Sequence, residues 1–528
     1  MESIAVRKNS VFGRFGVAIR DFEAGEFLVD ELPFAIGTKP SSKCCCLECF
    51  VPVNATEAGS RCENCSWPLC VDCKKKSALP VHARECEVFK SVKRKFYNLS
   101  DANATCLQLD CIMPLRVLLA KELSPEKWKK DVEPMEHHRE RRYGTPTWNV
   151  DAQNIVGYLL HGCNLKTRGF NDELIQQVVG ILEVNAFEGR TAKGHSMRCL
   201  FPKLSVLSHS CTPNVFHSIL PSGGFKSHLR ATKQIEKDTP LYVSYTFTLS
   251  GTAERQQLLQ QGKFFQCRCE RCLDPTELGT HFSSLKCQKC HTGNLISSNP
   301  LSKSLEKFFL SPTMQTFLLS LLCSDSNATW KCNKCPFEDA AANVKRLLKA
   351  LQDEIDSANS PESLEHLLEK NSSILHSNHF IMVSIKNALI ESYGHLKDYL
   401  LSQLPDYLLK RKIELCQEVL EILDVFETGK SRARALLLFE MHAPVFSYAN
   451  SRYQLGNLTH HEYLGQLKRA RDLLDESLAI LKWEDENVCK RLKLAKVSRS
   501  NLQSLIENVK TIDKLTSGKN TKVLEKYF

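Results

Sequence analysis

Leu204-Ser205-Val206-Leu207-Ser208-His209-Ser210-Cys211-Thr212-Pro213-Asn214 is the stretch that decides how this chain is read. An apolar run gives way to a polar segment with one histidine and one cysteine, and a Pro-Asn pair marks a turn. Most of the other cysteines cluster on either side of it. The chain carries 24 cysteines in 528 residues. Nine fall between Cys44 and Cys86. Three more form Cys267-Arg268-Cys269-Glu270-Arg271-Cys272, and pairs follow at Cys287/Cys290 and Cys332/Cys335. Beyond Cys335 only Cys416 and Cys489 remain, so a cysteine-rich part ends near residue 336 and a cysteine-poor part begins.

Hydrophobic residues make up 42% of the chain and charged residues 25%, enough apolar material to exclude wholesale disorder. The opening MESIAVRKNS has no apolar signal core, and no run reaches the ~18 apolar residues of a membrane span. An intracellular protein, nuclear or cytoplasmic and not membrane-bound, is therefore expected. In a reducing compartment, clustered cysteines mean metal more often than disulfides. The net charge of +10 is mild for this length and does not by itself mark a nucleic-acid binder.

Between residues 46 and 86 the ligand-type residues run Cys46-x2-Cys49, Cys62-x2-Cys65, Cys70-x2-Cys73 and His82-x3-Cys86. A C-x2-C knuckle aims two thiolates at one ion, and His-x3-Cys puts two ligands on one helical face. Eight such ligands suffice for two tetrahedral Zn²⁺ ions. The expected pairing is interleaved, first pair with third and second pair with His82/Cys86. Cys44 and Cys45 blur the first knuckle, and Cys45 is an alternative to Cys46. Cys267, Cys269 and Cys272 make a set one ligand short, or else an unmetallated loop. Cys287, Cys290, Cys332 and Cys335 make a four-cysteine ribbon despite 41 residues between its two pairs. Thiolate-filled sites are closed, so these zincs are structural and the chemistry lies elsewhere.

Two short strands are predicted over Phe12–Arg20 and Ala24–Val29, joined by a turn, and another over Leu241–Tyr245. Helical pattern occupies 107–121 and 151–183. In the cysteine-poor part Ile413, Cys416, Leu420 and Leu423 share a helical face, as do Leu467, Ala470, Leu474, Ile480 and Leu481. A helical array and a simple antiparallel bundle both fit. The whole reads as an α+β protein interrupted by a metal module and followed by an all-α part.

The segment Ser208-His209-Ser210-Cys211-Thr212-Pro213-Asn214 resembles the N-H-S-C-x-P-N core of SET-domain lysine methyltransferases. The spacing to Leu241-Tyr242-Val243-Ser244-Tyr245 is similar to that family's, and Cys267-x-Cys269-x2-Cys272 resembles its post-SET motif. The module splitting the SET domain looks like a MYND zinc finger. Leu415–Leu420 and Arg434–His442 resemble the C-terminal domain of the SMYD family, and the extra ribbon with Trp330 looks most like its arthropod-specific branch.

The resemblance implies a β-rich SET domain begun at 1–45, a MYND finger at 46–86, a helical insertion at 87–180, core SET at 181–250, a post-SET zinc region with ribbon at 251–335 and a helical-repeat-like domain at 336–528. It also implies four structural zinc sites, with Cys211 as fourth ligand to Cys267, Cys269 and Cys272. The cofactor implied is S-adenosylmethionine. Gly13, Arg14, Phe15, Asn185, Ser208, His209, Tyr245 and Phe265 would contact it, Tyr245 would be catalytic and Phe247 would line the substrate channel. Implied partners are a histone or non-histone lysine and, through the MYND finger, a proline-rich peptide, with a role in transcription.

The sequence departs from the family pattern at Phe15, at Ser208, at Asp238-Thr239-Pro240 and at Lys263, where many relatives have an aromatic. These departures motivate a second reading, a scaffold or corepressor with weak or lost catalysis. A third is accessory nucleic-acid contact through Lys74-Lys75-Lys76, Lys93-Arg94-Lys95 and Arg139–Arg142.

Overall fold

A computed structural model describes residues 3–54, 60–93, 95–97, 104–301 and 329–517. Arg94 of the second basic run lies outside them.

The N-terminal half is built from small sheets. Ile4–Asn9 and Gly13–Ala18 form an antiparallel hairpin with Ile4 opposite Ala18. Its tip is set by Asn9, whose Oδ1 accepts the amides of Val11 at 2.9 Å and Phe12 at 2.7 Å. Phe27–Glu31 pairs with Lys226–Ala231, which also pairs with Val215–Leu220. Ala35–Gly37 and Phe187–Arg190 flank Ser196–Leu200. In Lys226–Ala231 the side chains of Ser227, Leu229 and Ala231 are buried and their neighbours are not, the period-two pattern of a strand with one face on a core. That core gathers Ala18, Phe22, Leu28, Met197, Phe201, Leu207, Leu229 and Leu241.

The strands Gly13–Ala18 and Phe27–Glu31 are both present, but they do not pair with each other. Alternation fixes a strand's buried face and leaves its partner open. The helical pattern expected across 151–183 is likewise divided. Wide helical turns at Ala152–Val156 and Tyr158–Gly162 end before Asn164 and Gly169, both left-handed with φ of 54° and 84°. A new helix, Asp172–Asn185, starts with Asn171 accepting the Leu174 amide at 2.9 Å.

The cysteine-rich module leaves the sheet after Gly37 and packs with Ile112–Leu123 and Asp172–Asn185 around one core, where Trp67 stacks on Phe89 with ring centroids 3.9 Å apart. Arg116 stitches it in place. Its buried guanidinium donates to the carbonyls of Ile36 at 3.0 Å and Leu47 at 2.6 Å and to the Glu85 carboxylate. A monodentate lysine could not reach all three.

The cysteine-poor part is helical from Ala341 onward. Consecutive helices Pro361–Asn371, Phe380–Ser392, Asp406–Phe426, Arg432–Gln454, His460–Leu481 and Lys490–Ser517 pack chiefly on their sequence neighbours, as an array does. Their starts carry local signals, notably reciprocal capping boxes at Ser360/Ser363 and Thr459/Glu462. Among the described residues, no helix is long and apolar enough to cross a membrane.

Buried imidazoles tie this half to pH. His379 is wholly buried with Nε2 unpartnered, and burial lowers its pKa to about 3, with His376 adding to the shift. The unfolded chain takes up a proton near pH 6.5 and the folded one does not. The stability held above pH 6.5 is therefore lost progressively as pH falls toward 3. His379→Asn keeps a capping acceptor for the Ile381 amide and removes the titration. Its unfolding free energy from urea melts is expected to fall less steeply between pH 6.5 and 5, by up to one proton or ~1.4 kcal/mol per pH unit. Parallel slopes for the two proteins would contradict this.

Candidate active site and metal centres

Four groups of side chains converge so that their ligand atoms lie within 4.8 Å of one another. They are Cys46, Cys49, Cys70 and Cys73; Cys62, Cys65, His82 and Cys86; Cys211, Cys267, Cys269 and Cys272; and Cys287, Cys290, Cys332 and Cys335. The first two interleave along the chain. Cys44 and Cys45 are buried but belong to none of these groups, so the knuckle uses Cys46 rather than Cys45.

The donor spacing fits zinc. A tetrahedral ion with Zn–S bonds of about 2.3 Å has sulfur–sulfur edges of roughly 3.8 Å. The Sγ–Sγ distances are 3.7 Å for Cys49–Cys70, Cys62–Cys86, Cys287–Cys335 and Cys290–Cys332, and 3.5 Å for Cys211–Cys272. His82 turns Nε2 to its group, 3.4 Å from Cys65 Sγ, while Nδ1 lies 3.1 Å from Glu85 Oε1. Glu85, in turn held by Arg116, thus fixes the tautomer that leaves Nε2 free for metal. In the third group Arg255 is fully buried and directs Nε at Cys211 Sγ, 3.2 Å away, and Nη2 at Cys272 Sγ, 3.6 Å away. Every group is filled by four protein ligands, which leaves no open coordination position for catalysis.

Beside the third group lies a cavity of about 1460 Å³. Its floor is the parallel pairing of Ser208–His209 with Tyr242–Val243. Asn214 locks that register, since Oδ1 accepts the Tyr242 amide at 2.7 Å and Nδ2 donates to the Pro240 carbonyl at 2.9 Å. His209 joins metal group to cavity. Its Nδ1 accepts the Tyr245 amide at 3.0 Å, and Nε2 is 3.3 Å from Cys211 Sγ. Nε2 must then carry the proton and donate to the sulfur. Tyr245 lines the cavity, its hydroxyl donating to the Leu207 carbonyl. The ring is 39% exposed, but its hydroxyl is turned onto protein, which pushes the phenol's pKa up and keeps it neutral.

Gly13, Arg14, Asn185, Ser208, His209, Tyr245 and Phe265 all line this cavity. Gly13 adopts φ +66°, which turns the hairpin tip toward it. Asn185 donates Nδ2 to the Glu136 and Ile181 carbonyls, both at 2.8 Å, leaving Oδ1 as acceptor. Two expected residues are placed elsewhere. Phe15 is buried under the hairpin against Phe12, ring centroids 5.4 Å apart, and does not reach the cavity. Phe247 is 79% exposed and lies outside it, because Ser244 bonds the Thr246 carbonyl and bends the chain off the strand. Phe12, Glu136, Arg141, Tyr242 and Lys263 also line the cavity; of these the sequence marked Lys263 as a departure at the site, Arg141 only within a basic run, Phe12 and Tyr242 only as strand residues, and Glu136 not at all. The basic run Arg139–Arg142 is committed internally: Arg139 pairs with Glu173, Arg141 bonds the Phe264 carbonyl, and buried Arg142 pairs with Asp151 at 3.0 Å.

A family model described as the SET domain matches residues 13–246. SET domain-containing protein SmydA-8, isoform A, of Drosophila melanogaster is 30% identical over 295 residues, covering 54% of this chain and 59% of that protein. N-lysine methyltransferase SMYD2 of Homo sapiens is 26% identical over 271 residues, covering 49% of this chain and 58% of that protein. Residues 13–246 form a SET domain, and over this part the chain is similar to SMYD proteins. SET domain and MYND-type zinc finger protein 6 of Schizosaccharomyces pombe matches as well, at 28% over 269 residues, 48% of this chain and 51% of that protein. The matched segments span between half and three-fifths of these relatives. A SET/MYND architecture accounts for the α+β half split by two cysteine-rich centres, the cysteine-rich region that follows and the helical C-terminal part.

Proposed function

We propose that the protein transfers a methyl group from S-adenosylmethionine to a protein lysine. The observation that carries this is Tyr245, a neutral tyrosine held in the wall of a large cavity by His209 and the Leu207 carbonyl. The cavity's donor set suits that cofactor. Arg14 and Lys8 offer charge to a carboxylate, Glu136 to an ammonium, Asn185 and Ser208 hydrogen bonds, and Phe265 an aromatic face. When bound, the cofactor supplies an electrophilic methyl on a sulfonium.

The chain's own residues do the rest. The cavity wall strips water from the incoming lysine ammonium, which favours the neutral, nucleophilic amine. Tyr245 offers its hydroxyl and the Leu207 carbonyl it bonds to as polar points that orient the amine. Alignment of the two reactants in the cavity then supplies most of the rate. The four zinc centres hold the frame: the third fixes His209, and through it the backbone of Tyr245. The two centres between 46 and 86 form the MYND module, which we assign to docking of proline-rich protein segments, with a role in transcriptional regulation.

Radiolabelled methyl transfer onto histones and onto cell-extract protein tests this reading. The wild type is expected to label protein, and Tyr245→Phe to lower the rate by about a hundredfold or more. Equal labelling by both proteins, or none by the wild type, overturns it. One observation favours a weakly catalytic protein within the same reading, namely a lysine inside the cavity.

A further inference from the structure

Lys263 closes the helix Thr252–Lys263, and Phe264 turns the chain through a left-handed conformation with φ 61°. The turn leaves the Lys263 side chain in the cavity, where Nζ donates to the Val184 carbonyl and lies 5.5 Å from the centroid of the Tyr245 ring. A carbonyl and an aromatic face together are a setting that suits an ammonium held away from water.

No carboxylate neutralises it. Among the described residues, none lies within salt-bridge distance of Lys263. Glu183 lies nearby but is paired with Arg198 at 3.3 Å. Glu136 bonds the amides of His137 and His138 and sits 3.3 Å from the His138 ring. Arg141, on the same wall, is committed to the Phe264 carbonyl and adds a second positive charge. Lys263 is thus a cation beside Tyr245 with no ion-pair partner among the described residues.

We propose that Lys263 makes this cavity charge-selective, so that it holds a neutral thioether ligand more tightly than a sulfonium. The inference rests on the cofactor reading above and adds to it a property of one residue. S-adenosylmethionine and S-adenosylhomocysteine differ by one methyl and one positive charge. Two unit charges ~8 Å apart at an effective dielectric of ~20 repel by enough to change affinity roughly thirtyfold. A site with this bias retains the demethylated product and slows its own turnover, so Lys263 is a brake on the reaction rather than part of its chemistry.

Calorimetric titration of the full chain with each ligand tests the bias without measuring activity. The wild type is expected to bind S-adenosylhomocysteine at least tenfold more tightly than S-adenosylmethionine. Lys263→Met, neutral and of similar length, should bring the two affinities within about threefold, chiefly by tightening S-adenosylmethionine. Lys263→Arg keeps the charge and should keep the wild-type preference. If both ligands bind and Lys263→Met leaves their ratio unchanged, the charge selection is refuted while the cofactor site stands. If neither ligand binds any of the three proteins, the cofactor reading falls and the selection with it. Zinc content and unfolding midpoints of the variants establish that each is folded.

Discussion

Cys211→Ser is expected to release one zinc per chain and to cost on the order of 4 kcal/mol of stability or more. Cys211 is fully buried and is the only member of its group from outside residues 267–272. Removing its thiolate leaves three ligands and detaches the 208–214 segment from the region that covers it. The loss does not stay at the metal. His209 Nε2 loses its acceptor, and Nδ1 is what holds the Tyr245 amide. Methyl transfer and ligand binding should therefore fail along with zinc content, although Cys211 touches no reacting atom. Metal analysis beside a urea melt reads the first effect. Four retained zincs with an unchanged midpoint would show that the centre closes without Cys211.

Arg255→Met should be nearly as damaging. Four thiolates around Zn²⁺ leave a net charge of −2, and Arg255 brings a buried guanidinium to two of those sulfurs. It also pairs with Glu277 at 3.0 Å, and Glu277 is shared with Arg271 at 2.9 Å. All three side chains are essentially inaccessible. Two arginines and one glutamate carry +1, which offsets half of the centre's charge. Methionine fills similar volume but leaves thiolate charge uncompensated. We expect a loss of about 3–5 kcal/mol and a 10- to 100-fold drop in zinc affinity at this centre. Arg255→Lys should recover only part of this, since an ammonium cannot serve two sulfurs, Glu277 and the Ser250 carbonyl together. Zinc release to a chromophoric chelator, followed for the three proteins, decides it. Equal release rates would mean that the guanidinium is incidental to the metal.

The metal centres could be read from the sequence because ligand geometry is local. Cys-x2-Cys and His82-x3-Cys86 prescribe their own backbone turns, and interleaving is the compact way to join four such pairs. Cys211 was different, since nothing in its spacing ties it to residue 267 and only the surrounding motif does. Side-chain direction near the cavity was harder to read. Phe15 and Arg14 are neighbours on one strand, so one faces the cavity and the other the core, and register decides which. Phe247 follows Tyr245 by two residues and would share its face on a strand, but the pairing stops at Val243. Asp238 shows the same lesson in another place: it takes a left-handed φ of 66° and pairs with Arg7 of the hairpin, a contact 231 positions away in sequence. Lys263 stood out as an unusual residue at its position, yet that it faces Tyr245 depends on the left-handed turn at Phe264.

The separation of ligands along the chain also sets an order for synthesis. The two centres between Cys46 and Cys86 close within about forty residues, so both can load zinc soon after that segment emerges. The Cys211 centre must wait for Cys272, and the ribbon for Cys335. Until residue 272 is made, Cys211 is an unligated thiol beside a half-built cavity, and Arg255 has neither Cys272 nor Glu277 to bind. A nascent chain starved of zinc at that moment would hold two finished centres near its start and an unfinished cavity wall. Scarce metal would thus unmake the Cys211 centre, and the cavity wall it holds, before it unmade the two centres between Cys46 and Cys86.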